Sequence, residues 1–180
     1  MQENETVAAV RQWLRSFVID LNLCPFAKRE LVKNRIRFKL SRASSEPQLL
    51  IELQSELELL DRDQSIETTL LIHPEVLQDF DAYNQFLALS DSLIEQLGFL
   101  GTYQLASFHP GYQFENTQAD DVENYTNRSP YPMLHVIREQ SLERAIADYP
   151  DVDQIPVRNV ELMRRLGKEK LVAMINQNQS

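Results

Sequence analysis

Apolar residues recur at helical spacing in several stretches of the chain. The first, residues 6–22, must end before Pro25, because the residue that precedes a proline avoids α geometry. Ser45 and Gln48 form the pattern of a capping box at the start of the second. Gly98 is a typical C-terminal stop for the third. The pattern predicts helices over residues 6–22, 45–60, 74–97, 130–149 and 153–166.

Three shorter stretches have the pattern of β-strands. Residues 35–41 alternate between basic and apolar side chains, as in a strand with one buried face. Residues 68–72 form an apolar run without polar alternation, which favours a central strand covered on both faces. A third strand is predicted over residues 102–108.

The alternation of strands and helices predicts an α/β fold, or α+β if the strands are antiparallel as in a ferredoxin-like arrangement. A β-α-β-α-β core gives a sheet of three strands or slightly more, on which an N-terminal helix and C-terminal helices pack. A chain of 180 residues is long enough to bury its own core. We therefore expect a single domain over residues 1–180, with a frayed tail over about 168–180.

Composition argues against several classes of protein. The net charge of -9 and the pI near 4.8 argue against nucleic-acid binding, which depends on clustered positive charge. Cys24 is the single cysteine, so no intramolecular disulfide forms, and this fits a reducing compartment. No apolar run approaches the roughly 18 residues of a membrane span. The sequence thus predicts a cytoplasmic protein without a membrane partner.

Residues 28–42 depart from this acidic average, because Glu30 is the one acidic residue among many basic ones. One hypothesis is a surface that binds an acidic partner or RNA. Few aromatic side chains interleave with the basic ones, which weakens the RNA hypothesis. The alternative is an edge strand whose charges prevent pairing with another sheet.

His73 and His109 each follow a predicted strand, and each precedes a proline. Ligands of open α/β sheets bind outside the carboxyl ends of parallel strands, so both histidines are expected at one rim of the sheet. This position suits His109 for proton transfer and His73 for substrate binding. The alternative is that both are hydrogen-bonded turn residues.

Residues 111–127 show no periodicity and predict a long polar loop of the kind that often carries function. Asn127 and Arg128 directly precede the predicted helix 130–149, where backbone N–H groups and the helix dipole favour an anion. On that helix His135 and Arg138 are three residues apart and would share a face. These residues predict a site for a carboxylate or phosphate. The structural alternative is that Arg138 pairs with an acidic residue of the loop: Asp120, Asp121 or Glu123.

Cys24 is interpreted either as a small buried side chain or as a nucleophile with a histidine as its base. Together with the three histidines it also supplies four side chains that can bind zinc or iron. None of the spacings matches the usual metal-binding pairs, so we assign no metal ligand. With four glycines and no Gly-rich phosphate loop, a Rossmann or P-loop nucleotide site is not expected, and no cofactor is identified.

Four motifs together resemble one family of sequences. They are LNLCPFA at 21–27, TTLLIHP at 68–74, ASFHP at 106–110 and NYTNRSPYPMLH at 124–135. The chain resembles, over nearly its whole length, the bacterial family known as domain of unknown function 1415. The resemblance implies a small, single-domain, cytoplasmic bacterial protein. It implies no activity, and no catalytic residues follow from it.

Our leading hypothesis is a small-molecule enzyme that acts on an anionic substrate at the rim of the sheet, under the loop 111–127. A non-catalytic binding or assembly module that uses residues 28–42 is one alternative. A metal-dependent enzyme with Cys24 and the histidines as ligands is another. The oligomeric state does not follow from the sequence. The candidate catalytic residues are His109, His135 and Cys24, and the candidate substrate-binding residues are His73, Asn127, Arg128 and Arg138.

Overall fold

A computed structural model describes residues 4–177 of the chain. Four strands and seven α-helices follow one another among these residues, with a π-helical segment, Leu14–Ile19, directly after the first helix. The helices are α1 Glu5–Trp13, α2 Ala27–Val32, α3 Glu46–Arg62, α4 Phe80–Gln96, α5 Glu139–Ala147, α6 Ile155–Leu166 and α7 Lys168–Asn176. The strands are β1 Ile36–Leu40, β2 Thr68–Ile72, β3 Tyr103–Phe108 and β4 Met133–Arg138, and short 3-10 helices span Val122–Asn127 and Val152–Gln154.

The four strands form one mixed sheet in the order β1-β2-β4-β3. β1 and β2 are parallel, and β4 runs antiparallel to both β2 and β3. The strands β1, β2 and β3 therefore all point the same way, and their carboxyl ends lie at the same edge. This sheet confirms the α/β class and the predicted β-α-β-α-β core.

The predicted helix over residues 130–149 is wrong in its first half. Residues 133–138 form β4, which is inserted between β2 and β3, and α5 begins only at Glu139. The pattern of a short apolar run fits a strand and a buried helix equally well. Here the run forms a strand because its backbone pairs with β2 on one side and β3 on the other. Residues three apart on a strand point to opposite faces, so His135 and Arg138 do not share a face.

Two apolar clusters cover the two faces of the sheet. α3 and α4 pack on one face, around Leu71 and Leu134. The π-helical segment, α1, α6 and α7 pack on the other face, around Leu70 and Met133. All five residues of β2 are buried, as predicted for a central strand.

The ends of the helices differ from the sequence predictions in detail. Ser45 precedes α3 but makes no capping hydrogen bond, so the predicted capping box does not form. α4 begins at Phe80 rather than near residue 74, because the Asp79 side chain accepts the hydrogen bond that caps it. Gly98 has a φ of 75° and follows the end of α4, as predicted. The predicted frayed tail over about 168–180 forms α7 as far as Asn176, and residues 178–180 lie outside the described residues.

None of the helices within residues 4–177 has both the length and the apolar character needed to cross a lipid bilayer.

Candidate functional site

His73 and His109 follow the carboxyl ends of β2 and β3, on the face that α4 covers. Both are buried, with exposed fractions of 0% and 1%. The ring of Tyr83 contacts both: its centroid lies 5.9 Å from that of His73 and 5.0 Å from that of His109. The structure therefore places the two histidines at one rim of the sheet.

Backbone groups form hydrogen bonds with three of the four ring nitrogens of His73 and His109. His73 Nδ1–H donates to the carbonyl oxygen of Val76 at 2.9 Å, and its Nε2 is buried without a partner. His109 Nε2–H donates to Leu77 O at 3.1 Å, while its Nδ1 accepts from Gly111 N–H at 2.9 Å. Burial lowers the pKa of both, that of His73 to about 4. This geometry matches the alternative of hydrogen-bonded turn residues.

Arg128 holds the loop 111–127 in place through backbone carbonyls. Its Nε donates to Tyr112 O at 3.2 Å, a terminal nitrogen donates to Ala119 O at 2.6 Å, and the guanidinium lies 4.4 Å from the centre of the Tyr125 ring. Asn127 donates to Ser107 O at 3.1 Å. A strand follows these residues, so the predicted anion site at a helix N-terminus does not form.

Arg138 lies at the opposite end of the sheet, at the end of β4. Its guanidinium donates to the carbonyls of Ile66, Leu60 and Asp63 and to the Tyr103 hydroxyl. It therefore does not pair with an acidic residue of the loop, and that structural alternative is wrong. Two of those acidic residues pair elsewhere: Asp120 with Lys168 at 2.7 Å and Glu123 with Arg164 at 3.2 Å.

Three arginines of the basic segment 28–42, Arg29, Arg35 and Arg37, pair with carboxylates. Arg35 lies 2.6 Å from Glu30 and 3.2 Å from Glu67. Arg37 lies 2.7 Å from the buried Glu56 of α3, and this hydrogen bond raises the pKa of Arg37. These pairs reduce the positive charge that Arg35 and Arg37 offer to an acidic partner.

An apolar pocket of about 240 Å³ lies on the other face of the sheet, between the π-helical segment, α2 and α5. We call it the apolar pocket. Most of its lining is aliphatic or aromatic, and it includes two of the predicted site residues, Cys24 and His135. Trp13, Ala106, Phe108 and Ala145 line it as well.

His135 reaches this pocket from the middle of β4, directly opposite Leu70 of β2 and Ala106 of β3. Its Nε2 lies 2.7 Å from the hydroxyl oxygen of Thr68. Burial lowers the pKa of His135 to about 4, so the imidazole is neutral at physiological pH. Of the three predicted histidines, His135 is the one that lines the apolar pocket.

Cys24 is half-buried in the wall of the same pocket. Burial raises the pKa of its thiol, and the backbone N–H groups of Phe26 and Ala27 only partly oppose this effect. The neutral thiol is a weak nucleophile, because thiolates carry the reactivity of cysteine. Cys24 therefore lines the pocket as a neutral thiol.

We expect iodoacetamide to alkylate Cys24 at neutral pH at least about tenfold more slowly in the folded chain than in urea, because the folded thiol is shielded and has a raised pKa. The measurement is the labelling rate against pH, and the unfolded chain is the control since Cys24 is the single cysteine. Faster labelling of the folded chain would contradict the prediction. Acceleration by a chelator would support the metal-ligand hypothesis instead.

A second, polar pocket of about 380 Å³ adjoins the first, and Glu67 and Ser141 line both. Three arginines face it: Arg35, Arg138 and Arg144. The first two bind carboxylates or carbonyls, while Arg144 donates to the Ser141 hydroxyl at 3.2 Å.

The proposed metal ligands are not brought together. Cys24 and His135 line the apolar pocket, whereas His73 and His109 contact Tyr83 on the α4 face. Within residues 4–177 no three His, Cys, Asp or Glu side chains form a cluster that could hold a metal ion.

Most residues that line the apolar pocket carry no recognisable signal in the sequence. Trp13, Thr68, Ala106 and Ala145 come from α1, two different strands and α5. Each has an ordinary apolar or strand-forming side chain, so neither spacing nor composition marks it as part of a site.

Comparison with known proteins gives a family but no activity. No curated protein is similar to this chain, and no solved structure is either. One family model matches, and its description is a protein of unknown function, DUF1415. The match extends over residues 5–173, which includes all of the sheet and both pockets. The chain therefore belongs to the DUF1415 family, as its four motifs indicated.

Proposed function

We propose that this protein binds a small, largely apolar molecule in the apolar pocket. The observation that supports this most strongly is the size of the pocket, about 240 Å³, together with its apolar lining. An engineered apolar cavity of roughly 150 Å³ binds benzene, so this pocket has room for a larger body such as two fused rings. Apolar pockets with a few polar groups are the usual form of small-molecule sites.

The hypothesis of an enzyme that acts on an anionic substrate has less support. Arg128 and Arg138 donate to backbone carbonyls, and both nitrogens of His109 are hydrogen-bonded. An anion or a proton transfer would first have to displace these bonds. Binding in the apolar pocket requires no such rearrangement.

The test is a titration of the full chain with naphthalene, followed by 1H–15N NMR. Trp13 is the single tryptophan and lines the pocket, and its indole N–H donates to Arg128 O at 3.2 Å. We expect its indole signal to shift and saturate as naphthalene binds.

A matched pair of variants on α5 locates the binding site. Ala145 lines the pocket, whereas Ala147, two residues further along, is exposed and does not. Ala145→Phe should fill the pocket and abolish naphthalene binding, and Ala147→Phe should leave it unchanged. Equal binding by both variants, or no saturable shift in the native chain, would refute the proposed function.

A further inference from the structure

We propose that the ligand of the apolar pocket carries a neutral hydrogen-bond donor, such as the hydroxyl of an alcohol or phenol, which it donates to Nδ1 of His135. This inference rests on the proposed function and specifies the chemical class of the ligand.

The tautomer of His135 follows from the bonds of Thr68. The Thr68 hydroxyl has one hydrogen, and it donates that hydrogen to the carbonyl oxygen of Val136. The same hydroxyl oxygen lies 2.7 Å from His135 Nε2, so it must accept a hydrogen from that nitrogen. In a neutral imidazole with hydrogen on Nε2, Nδ1 holds a lone pair and is an acceptor.

Nδ1 has no partner within residues 4–177, because Thr68 Oγ1 is the only atom there to which the His135 ring hydrogen-bonds. The ring lines the apolar pocket and its unpaired Nδ1 is not fully buried, so we infer that Nδ1 faces the pocket. A buried acceptor without a hydrogen bond costs free energy in an apolar pocket. A ligand that donates a hydrogen bond to Nδ1 therefore gains binding free energy.

The other polar groups of the pocket disfavour an anionic ligand. Glu30 and Glu67 line it, and both carboxylates pair with Arg35. The hydroxyl hydrogen of Thr68 is already donated to Val136 O. A carboxylate in this pocket would face the Nδ1 lone pair and two carboxylates, and the remaining donors of the lining, the Ser141 hydroxyl and the Cys24 thiol, are uncharged. A neutral hydroxyl has neither that repulsion nor the desolvation cost of a charge.

Three probes with one ring system test the inference at neutral pH: naphthalene, 2-naphthol and 2-naphthoate. We expect 2-naphthol to bind about three- to tenfold more tightly than naphthalene, as one net hydrogen bond allows. We expect 2-naphthoate to bind more weakly than either. If naphthalene itself does not bind, the proposed function fails. If naphthalene binds and 2-naphthol binds no better, or 2-naphthoate binds best, the inference fails alone.

Variants and NMR separate the role of His135 from a general effect on the pocket. His135→Phe keeps an aromatic ring but removes Nδ1, so the ratio of the 2-naphthol and naphthalene affinities should fall to about one, whatever the absolute affinities are. In the native chain, 15N NMR should show His135 with an unprotonated Nδ1 and a protonated Nε2, and 2-naphthol should shift the Nδ1 signal. A protonated Nδ1, or an Nδ1 signal that 2-naphthol leaves unmoved, would overturn the inference even if His135→Phe failed to fold.

Discussion

Acidification from neutral pH to about pH 4 should reduce the free energy of unfolding by several kcal/mol. Burial lowers the pKa of His73 and of His135 to about 4 each, against roughly 6.5 in an unfolded chain. Between these values the unfolded state binds more protons than the folded state, so stability falls as the pH falls through this window. Each histidine contributes on the order of 3 kcal/mol to the loss. Below about pH 4 both states are protonated and these two histidines add no further loss.

His109 acts in the same direction, because burial lowers its pKa as well. The carboxylates of Asp63 and Asp120 also have lowered pKa values, owing first to hydrogen bonds with Ser65 and Lys168. Their stabilising effect is lost only at lower pH, as the pH falls through the pKa of each folded carboxyl. The window between about pH 6.5 and about pH 4 therefore reports mainly on the histidines.

Urea denaturation at several pH values within this window measures the effect. His73→Asn places an amide near the position of Nδ1, and His135→Gln places one near the position of Nε2, so each variant keeps a donor but cannot titrate. The double variant should lose most of the pH dependence, and each single variant about half. A double variant with the slope of the native chain would show that other groups control acid stability.

The sequence predicts best those elements whose burial is evident from the order of polar and apolar residues within the element itself. Residues 68–72 carry no charge, and they form the buried central strand β2. Residues 35–41 alternate: the apolar residues Ile36 and Phe38 pack on the face covered by α1, and Arg37 pairs with Glu56 of α3 on the opposite face. Period and charge along a short segment were enough in both cases.

β4 could not be predicted in this way. Five of its residues pair with β2, which is more than 60 residues earlier, and all six pair with β3 across the loop 111–127. The stretch MLHVIR has no clear period, so its long-range pairing partners decide its conformation rather than any local signal. The error carried over to the site, since it placed His135 and Arg138 on one face of a helix.

The candidate site shows the same limit. Strand ends correctly located His73 and His109 at one rim, but the sequence does not show that carbonyls of residues 76 and 77 accept their ring hydrogens. Every residue has a backbone carbonyl, so the type of an amino acid does not show whether its carbonyl accepts a hydrogen bond. For the same reason the sequence does not show that Arg128 and Arg138 donate to backbone carbonyls.

Replacement of Arg138 by methionine should lower the free energy of unfolding by about 3–5 kcal/mol. The guanidinium bonds the carbonyls of Leu60 and Asp63 at the end of α3, and that of Ile66 just before β2. Methionine fills a similar volume but donates nothing, so these part-buried carbonyls lose their donors while they stay in place. The favourable interaction of a cation with the C-terminus of α3 is lost as well.

Arg144→Met is the matched control for this substitution. Arg144 faces the same polar pocket, but it is exposed and donates to the Ser141 hydroxyl, so its replacement should change stability by no more than about 0.5 kcal/mol. Arg138→Lys should recover only part of the loss, because one ammonium group cannot reproduce the directions of the planar guanidinium. Urea denaturation of the three variants measures these differences. Arg138→Met with a stability close to that of Arg144→Met would mean that solvent or rearranged side chains replace the guanidinium, and that Arg138 is not what joins α3 to the sheet.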